Sequence, residues 1–309
     1  MQLWLVKKPK GNIMLSKELG KPQSSSDVVN KEPKVLLIGY GWVGQYMGKY
    51  FKTANYTNQS GNFYKVSNNE PTSNKEHYDL AIIGVPTPMN PETGQCDTSI
   101  VEKVVEKHRE NVDIFLVKST VEIGTCERLE KKYDVSVCMS PEYVGETLGH
   151  PLLESRKNAF QIIGGNKIAR EAVARMFMKV LHASAPIHLV TSREAEIIKY
   201  CENMWISRRV DFWNDVFEVC NVLGSSFTGV REGLVLDPRL NRTHSNVYPD
   251  NMGWSGKCLP KDMNALAFKM KQMGHPLPRL EHSIKENVIR REYIDSKEQL
   301  IPEKPTWEK

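Results

Sequence analysis

No apolar run in this 309-residue chain approaches the roughly 20 residues that a membrane-spanning helix needs, so no membrane partner is expected. The opening "LWLV" is too short for the core of a secretory signal, and no small-residue cleavage site follows it. The six cysteines have neither short regular spacing nor a CxxC pair. That argues against a disulfide framework and against a zinc site; a reducing, cytoplasmic setting without a metal is expected. An excess of one charge is missing too: 42 Lys and Arg against 37 Asp and Glu leave a net charge of +5, spread along the chain. Such a balance suits a small anionic ligand better than a nucleic-acid track, and no nucleic acid is expected.

What is present fits an ordinary globular protein of about two domains, 26% charged and 40% hydrophobic. Residues 1–33 are polar, broken by "KPKGN" and "GKPQSSSD", and are expected to be a flexible extension. At Lys34 the character changes. "KVLLIGYGWVGQYMGKYF" is a short apolar run, then GxGxxG at Gly39, Gly41 and Gly44, then a helical pattern, the order that sets a pyrophosphate on a helix N-terminus. "NFYKV", "DLAIIGV" and "DIFLVKS" predict further buried strands, with "VSVCMS" and "AFQIIGG" completing the sheet. Helical stretches such as "TSIVEKVVEKHREN" between them predict an α/β fold, a Rossmann-like doubly wound parallel sheet with ligands at the carboxyl ends of its strands.

From about Asn166 onward strands are expected to vanish, and an all-helical domain to follow. The expected division is 1–33, 34–166 for the dinucleotide domain, 167–295 for the helical domain and 296–309 for a tail. The longest predicted helix ends at Gly224 and begins with a capping box made by Thr191 and Glu194. Lys199 and Asn203 share one of its faces by i, i+4 spacing; seen alone they fit a solvated pair. "GWSGKCLPKD" places Cys258 in a glycine-rich turn between Lys257 and Lys261, with Pro260 opening a helix. A sulfur at a helix N-terminus beside two lysines favours the thiolate, so Cys258 is a candidate nucleophile; the alternative is a small buried apolar residue.

Taken together, "GYGWVG", "IIGVPTPMNPETGQCD", "VKSTVEIGT", "SPEYVGE", "EIIKYCENMW", "FWNDVFEVC", "DPRL" and "GWSGKCLPKD", in this order, resemble the UDP-glucose/GDP-mannose dehydrogenase family over roughly residues 34–294. The resemblance implies NAD-dependent, four-electron oxidation of a sugar-nucleotide C6 alcohol to the carboxylate, with UDP-glucose the expected substrate. Cys258 then carries the thiohemiacetal and thioester, and Lys199 with Asn203 stabilises the oxyanion. Asp262 works with a water in proton transfer, and Thr120 and Glu142 hold the hydrolytic water. Gly39, Gly41, Trp42, Val43, Gly44, Ser67, Val85, Pro86, Thr87 and Thr120 are implied for NAD. Glu142, Tyr143, Val144, Glu146, Lys199, Asn203, Gly253 and Gly256 are implied for the UDP-sugar. Arg239 of "DPRL" is implied to reach a neighbouring subunit's substrate, hence a homodimer.

The sequence departs from the family pattern in places. Where the second strand should end on an acidic residue for the adenosine ribose, "NFYKVSNN" offers Ser67 and Asn68. The stretch from there to "DLAIIGV" leaves little room for helices. "YPDNMGWSG" has Asp250 and Asn251 in place of a Pro-Gly pair. The chain stops soon after the helical domain, where the family carries a third domain covering the UDP end. Two other readings stand beside an active dehydrogenase: an impaired member acting as a sugar-nucleotide-binding or oligomerisation subunit, and a two-domain hydroxyacid dehydrogenase, which would need no thiol.

Overall fold

Four consecutive apolar residues with no polar alternation make a strand buried on both faces, and Val35–Ile38 (β1) is that strand, with Leu36 and Leu37 fully enclosed. In the computed structural model, residues 32–58, 60–73, 76–143 and 160–298 are described. The chain divides into two units, Met1–Pro33 and Lys34–Lys309, and every element named here lies in the second.

After β1 come α1 (Trp42–Tyr50), β2 (Asn55–Thr57), β3 (Phe63–Lys65), β4 (Pro71–Thr72), β5 (Leu80–Ile83), α2 (Ser99–His108), β6 (Ile114–Val117), α3 (Thr125–Tyr133) and β7 (Ser136–Met139). They are followed by β8 (Gln161–Gly164), α4 (Lys167–Met178) and β9 (Ile187–Val190). The nine strands form one sheet in the order β4-β3-β2-β1-β5-β6-β7-β8-β9. β2, β1, β5, β6 and β7 run parallel, with antiparallel pairings at both margins. Two cores cover the faces. One packs α1 and α4 through Met47, Tyr50, Val173 and Phe177; the other packs α2 and α3 through Val101, Val105, Cys126 and Leu129.

Two expectations are corrected here. Strands do not end near Asn166: β9 extends the sheet to Val190 by pairing parallel to β8 over Gln161–Gly164. The second parallel strand is not "NFYKV" but β2, which pairs with β1 from Leu36↔Asn55 to Ile38↔Thr57. "NFYKV" folds back as β3, antiparallel to β2, and β4 continues the hairpin. Among the described residues no helix lies between β2 and β5, in keeping with the short connection read from the sequence.

The helical part comprises α5 (Ser192–Val222), α6 (Phe227–Leu234), α7 (Leu259–Gln272) and α8 (Pro278–Glu298). α5 opens on the capping box: Thr191 accepts from the Glu194 N–H, and Glu194 accepts from the Thr191 N–H at 2.7 Å. Gly224, at φ +64°, follows the last turn as a left-handed stop. Tyr200 on α5, Met263 and Leu266 on α7, Leu280 on α8 and Trp254 form a third core, which Cys96 from the segment after β5 joins. That shared core fixes the helices against the carboxyl edge of the sheet.

Candidate active site

The carboxyl ends of β1, β5, β6 and β7 line up because each strand's exit is bonded to its neighbour. The Gly84 N–H donates to Ile38 O (2.8 Å), Lys118 N–H to Ile83 O (2.8 Å), and Ser140 N–H to Val117 O (2.9 Å). The following turns are cross-tied: the Thr87 hydroxyl donates to Thr120 O at 2.7 Å, and Ser119 Oγ donates to Val85 O at 2.7 Å. This groups Val85, Pro86, Thr87 and Thr120 as the resemblance implies.

The glycine turn suits a dinucleotide pyrophosphate. Gly39, at φ +87°, lies so close to β5 that a Cβ would meet Gly84 O at 2.4 Å, and a Cβ on Gly44 would meet Gly39 O at 2.2 Å. Those two glycines serve chain packing. Gly41 faces open space at the N-cap of α1, where no side chain caps the helix. With Trp42 and Val43 beginning the helix, its first N–H groups point at a position that a phosphate fits.

Ser67 is placed elsewhere. Because β3 runs antiparallel, the chain beyond Lys65 heads past the amino end of β2, where the Val66 N–H donates to Ala54 O. Ser67 and Asn68 therefore occupy the β3–β4 turn at the edge opposite the glycine turn. The position after the second parallel strand is Asn58, whose Oδ1 accepts from the Asn62 N–H at 2.9 Å. Asn58 is neutral, so the missing acid persists, at another residue.

The helices bring the remaining groups together. Cys258 is the exposed N-cap residue of α7, with Pro260 in the first turn. One turn further on, Asp262 is 1% exposed and accepts from Asn203 Nδ2 of α5 at 2.5 Å, while Lys261 pairs with its other oxygen. Lys199 lies one turn before Asn203; its ammonium meets Glu202 Oε2 at 2.8 Å and stands 5.1 Å from the Tyr143 ring centroid. Burial pushes the Glu202 carboxyl above its ordinary range, against the opposing pull of Lys199. Burial likewise drives the Tyr143 phenol up, and Glu202 and Glu142 add to this.

Glu142 is reached from below. The Lys118 side chain, 1% exposed, donates to Ser140 Oγ (3.2 Å) and Gln161 Oε1 (3.1 Å) and lies 3.5 Å from Glu142 Oε2. Burial lowers the Lys118 pKa; the Glu142 charge resists the shift and Lys199 adds to it. Val144 and Glu146 lie outside the described residues. Arg239 stands away from this cluster: its side chain is 86% exposed, and among the described residues its hydrogen bonds all go to Asp237. Gly253 and Gly256 both take positive φ, at +83° and +81°.

Sequence reasoning overlooked Lys118, Glu202 and a cavity. Lys118 had a signal, a lysine ending a buried apolar run; Glu202 had little, being one acid among many on a long helix. The cavity, about 300 Å³, is bounded by Val210 and Asn214 of α5, Tyr248, Asn251, Gly253 and Ser255. It adjoins the cysteine turn and reaches the lower end of small-molecule pocket volumes.

Residues 49–182 match the NAD binding domain of the UDP-glucose/GDP-mannose dehydrogenase family, and residues 193–288 match its central domain. A UDP-glucose 6-dehydrogenase of Bacillus subtilis is 28% identical over 230 residues, 71% of this chain and 48% of the relative. One from Campylobacter jejuni is 29% identical over 248 residues, 77% of this chain and 60% of the relative. A UDP-glucose dehydrogenase structure from Pyrobaculum islandicum superposes with a TM-score of 0.71 at 23% identity, over 85% of this chain and 69% of that one. The chain spans about half the length of the curated relatives it matches.

Proposed function

Because the chain belongs to the UDP-glucose/GDP-mannose dehydrogenase family, we propose that it oxidises the C6 alcohol of a UDP-sugar, UDP-glucose foremost, to the carboxylate through a covalent adduct on Cys258. The observation that carries this reading is the buried Asn203–Asp262 pair one helical turn from the exposed Cys258 sulfur, with Lys199 one turn away on α5. A binding subunit needs no such grouping.

The Gly39–Gly44 turn with Trp42 and Val43, together with Val85, Pro86 and Thr87, would hold NAD, which accepts one hydride per molecule, so NADH leaves and a second NAD takes its place between the two oxidations. Asp262, through a water, takes the C6 hydroxyl proton as the alcohol becomes an aldehyde. The Cys258 thiolate adds to the aldehyde carbon; the oxyanion that forms is met by the Lys199 ammonium and by the second N–H of the Asn203 amide, the first being given to Asp262. Loss of the second hydride turns the thiohemiacetal into a thioester. Glu142, held by Lys118, and Thr120 position the water that attacks the thioester, releasing the acid and restoring the thiol. The cavity beside Tyr248 and Gly253 takes part of the UDP-sugar.

A homodimer completes the site. Trp205, Phe212 and Val219 are exposed on α5 at seven-residue spacing, an apolar stripe fit to meet its copy, and Arg239, exposed and paired with Asp237, would exchange that partner for a neighbour's diphosphate.

Incubating the purified chain with a panel of UDP-sugars and NAD, and measuring product mass and NADH, tests the reading. Two NADH per acid are expected, and none of the acid from Cys258→Ala. One NADH with free aldehyde accumulating, or normal acid from the alanine variant, refutes it.

A further inference from the structure

α8 presents three polar residues on one face, Ser283, Asn287 and Arg291, spaced four apart, and all three engage the segment that leads into Cys258 or its support. Asn287, 7% exposed, makes two bonds to the backbone of one residue. Its Oδ1 accepts from the Trp254 N–H at 2.8 Å, and its Nδ2 donates to Trp254 O at 2.9 Å. The amide thus acts as a neighbouring strand would, satisfying both main-chain groups of a buried residue that has no sheet beside it. The Trp254 indole N–H donates to Asp211 Oδ1 of α5 at 2.9 Å, and Ser283 Oγ donates to Asp211 Oδ2 at 2.5 Å. Arg291 bonds the Asn251 side chain and reaches Met252 O at 3.3 Å.

The glycine before Trp254 is part of the same device. A Cβ on Gly253 would sit 2.6 Å from Asn287 Oδ1, so the amide can reach the backbone only because residue 253 has no side chain. Between Trp254 and Cys258 lie Ser255, Gly256 and Lys257, all exposed, with Gly256 at φ +81° facing open space. Three exposed residues, one of them a glycine, have no packing of their own to hold them, so the short span takes its position from its two ends. The span is fixed at its far end by α7 and at its near end by the Trp254 clamp.

We infer that Asn287, supported by Asp211, is a positioning residue that sets where the Cys258 sulfur stands, acting through Trp254 without touching the reacting atoms. This rests on Cys258 being the nucleophile. With the clamp intact the sulfur is poised to capture the aldehyde before it leaves; with the clamp loosened, the first oxidation still proceeds and capture fails more often. The signature is therefore partition, not binding.

The test compares the full-length chain with Asn287→Ala and Asn287→Asp; the aspartate keeps the acceptor for the Trp254 N–H and loses the donor. Turnover in the presence of semicarbazide gives the fraction of product trapped as aldehyde, and hydrogen exchange of the 251–258 segment is read against that of β1. For Asn287→Ala, exchange in 251–258 is expected to quicken about tenfold or more while β1 stays unchanged, as two lost hydrogen bonds imply. The trapped aldehyde fraction is expected to rise severalfold with KM for the sugar nucleotide nearly constant, and Asn287→Asp to lie between. If Asn287→Ala does not fold, Trp254→Phe, which loses the indole bond to Asp211 and part of the buried ring but keeps both main-chain bonds to Asn287, should shift both readouts in the same direction by less. A folded variant with wild-type exchange at 251–258, or with faster exchange and wild-type partition, overturns the inference. A wild-type chain that makes no acid removes the nucleophile reading instead, and the exchange result alone then decides whether Asn287 holds the turn.

Discussion

The Asn203–Asp262 bond is a buried polar tie between α5 and α7, and its strength can be worked from its surroundings. Both side chains are buried, at 4% and 1% exposure, so water cannot replace the bond when one partner is removed. The acceptor is a carboxylate, and a hydrogen bond to a charged group contributes about 1.5–3 kcal/mol net. Lys261 remains on the other oxygen, so Asn203→Ala does not strand the charge completely. Truncation also opens a small cavity, but that cost appears in both arms of a double-mutant cycle and cancels. Wild type, Asn203→Ala, Asp262→Ala and the double variant, unfolded in urea and followed by tryptophan fluorescence, should therefore give a coupling energy of about 1.5–3 kcal/mol. The same variants should each slow NADH formation, since the aspartate loses its orientation in one and its carboxylate in the other. A coupling below about 0.5 kcal/mol, the level at which independent sites add, would refute the claim that this pair fixes the two helices across the site.

Burial raises the folded-state pKa of Glu202 above its unfolded value, so below the unfolded value the group costs nothing, and stability is lost as pH rises through the folded pKa. Glu202→Gln should make the stability difference between pH 8 and pH 5, measured by urea titration, more favourable to pH 8 than in the wild type; an unchanged difference counts against the buried carboxyl. Asn58→Asp, at the end of β2, should raise the NAD-over-NADP ratio of kcat/KM by about tenfold, because a carboxylate there accepts from the ribose hydroxyls and repels a 2′-phosphate; a substitution at Asn68 should leave the ratio alone. Arg239→Ala should raise KM for the sugar nucleotide far more than it lowers kcat, and light scattering with fraction-by-fraction assay should find activity only in dimers. A fully active monomer would place the diphosphate elsewhere.

Local rules were enough for the glycine turn, the capping box at Thr191, the stop at Gly224 and the placing of Cys258 at the head of α7, since each depends on residues within a turn of one another. Motif order named Lys199, Asn203, Asp262, Thr120 and Glu142 as candidates, and the contact of Asn203 with Asp262 depends on the third core, which draws α5, α7 and the segment after β5 together. Strand register lay beyond the sequence. β2 is three residues, "NYT", fully buried but too short and too polar to stand out, whereas "NFYKV" looks more like a strand and is one, running the other way. Because that choice reverses which end of the strand faces the glycine turn, it moved the ribose position from Ser67 to Asn58. Asn287 was invisible, and Lys118 signalled only by its place at the end of an apolar run, for a related reason. A lysine or an asparagine is an ordinary surface residue until packing closes over it, and only the tertiary structure decides which polar groups must then find each other.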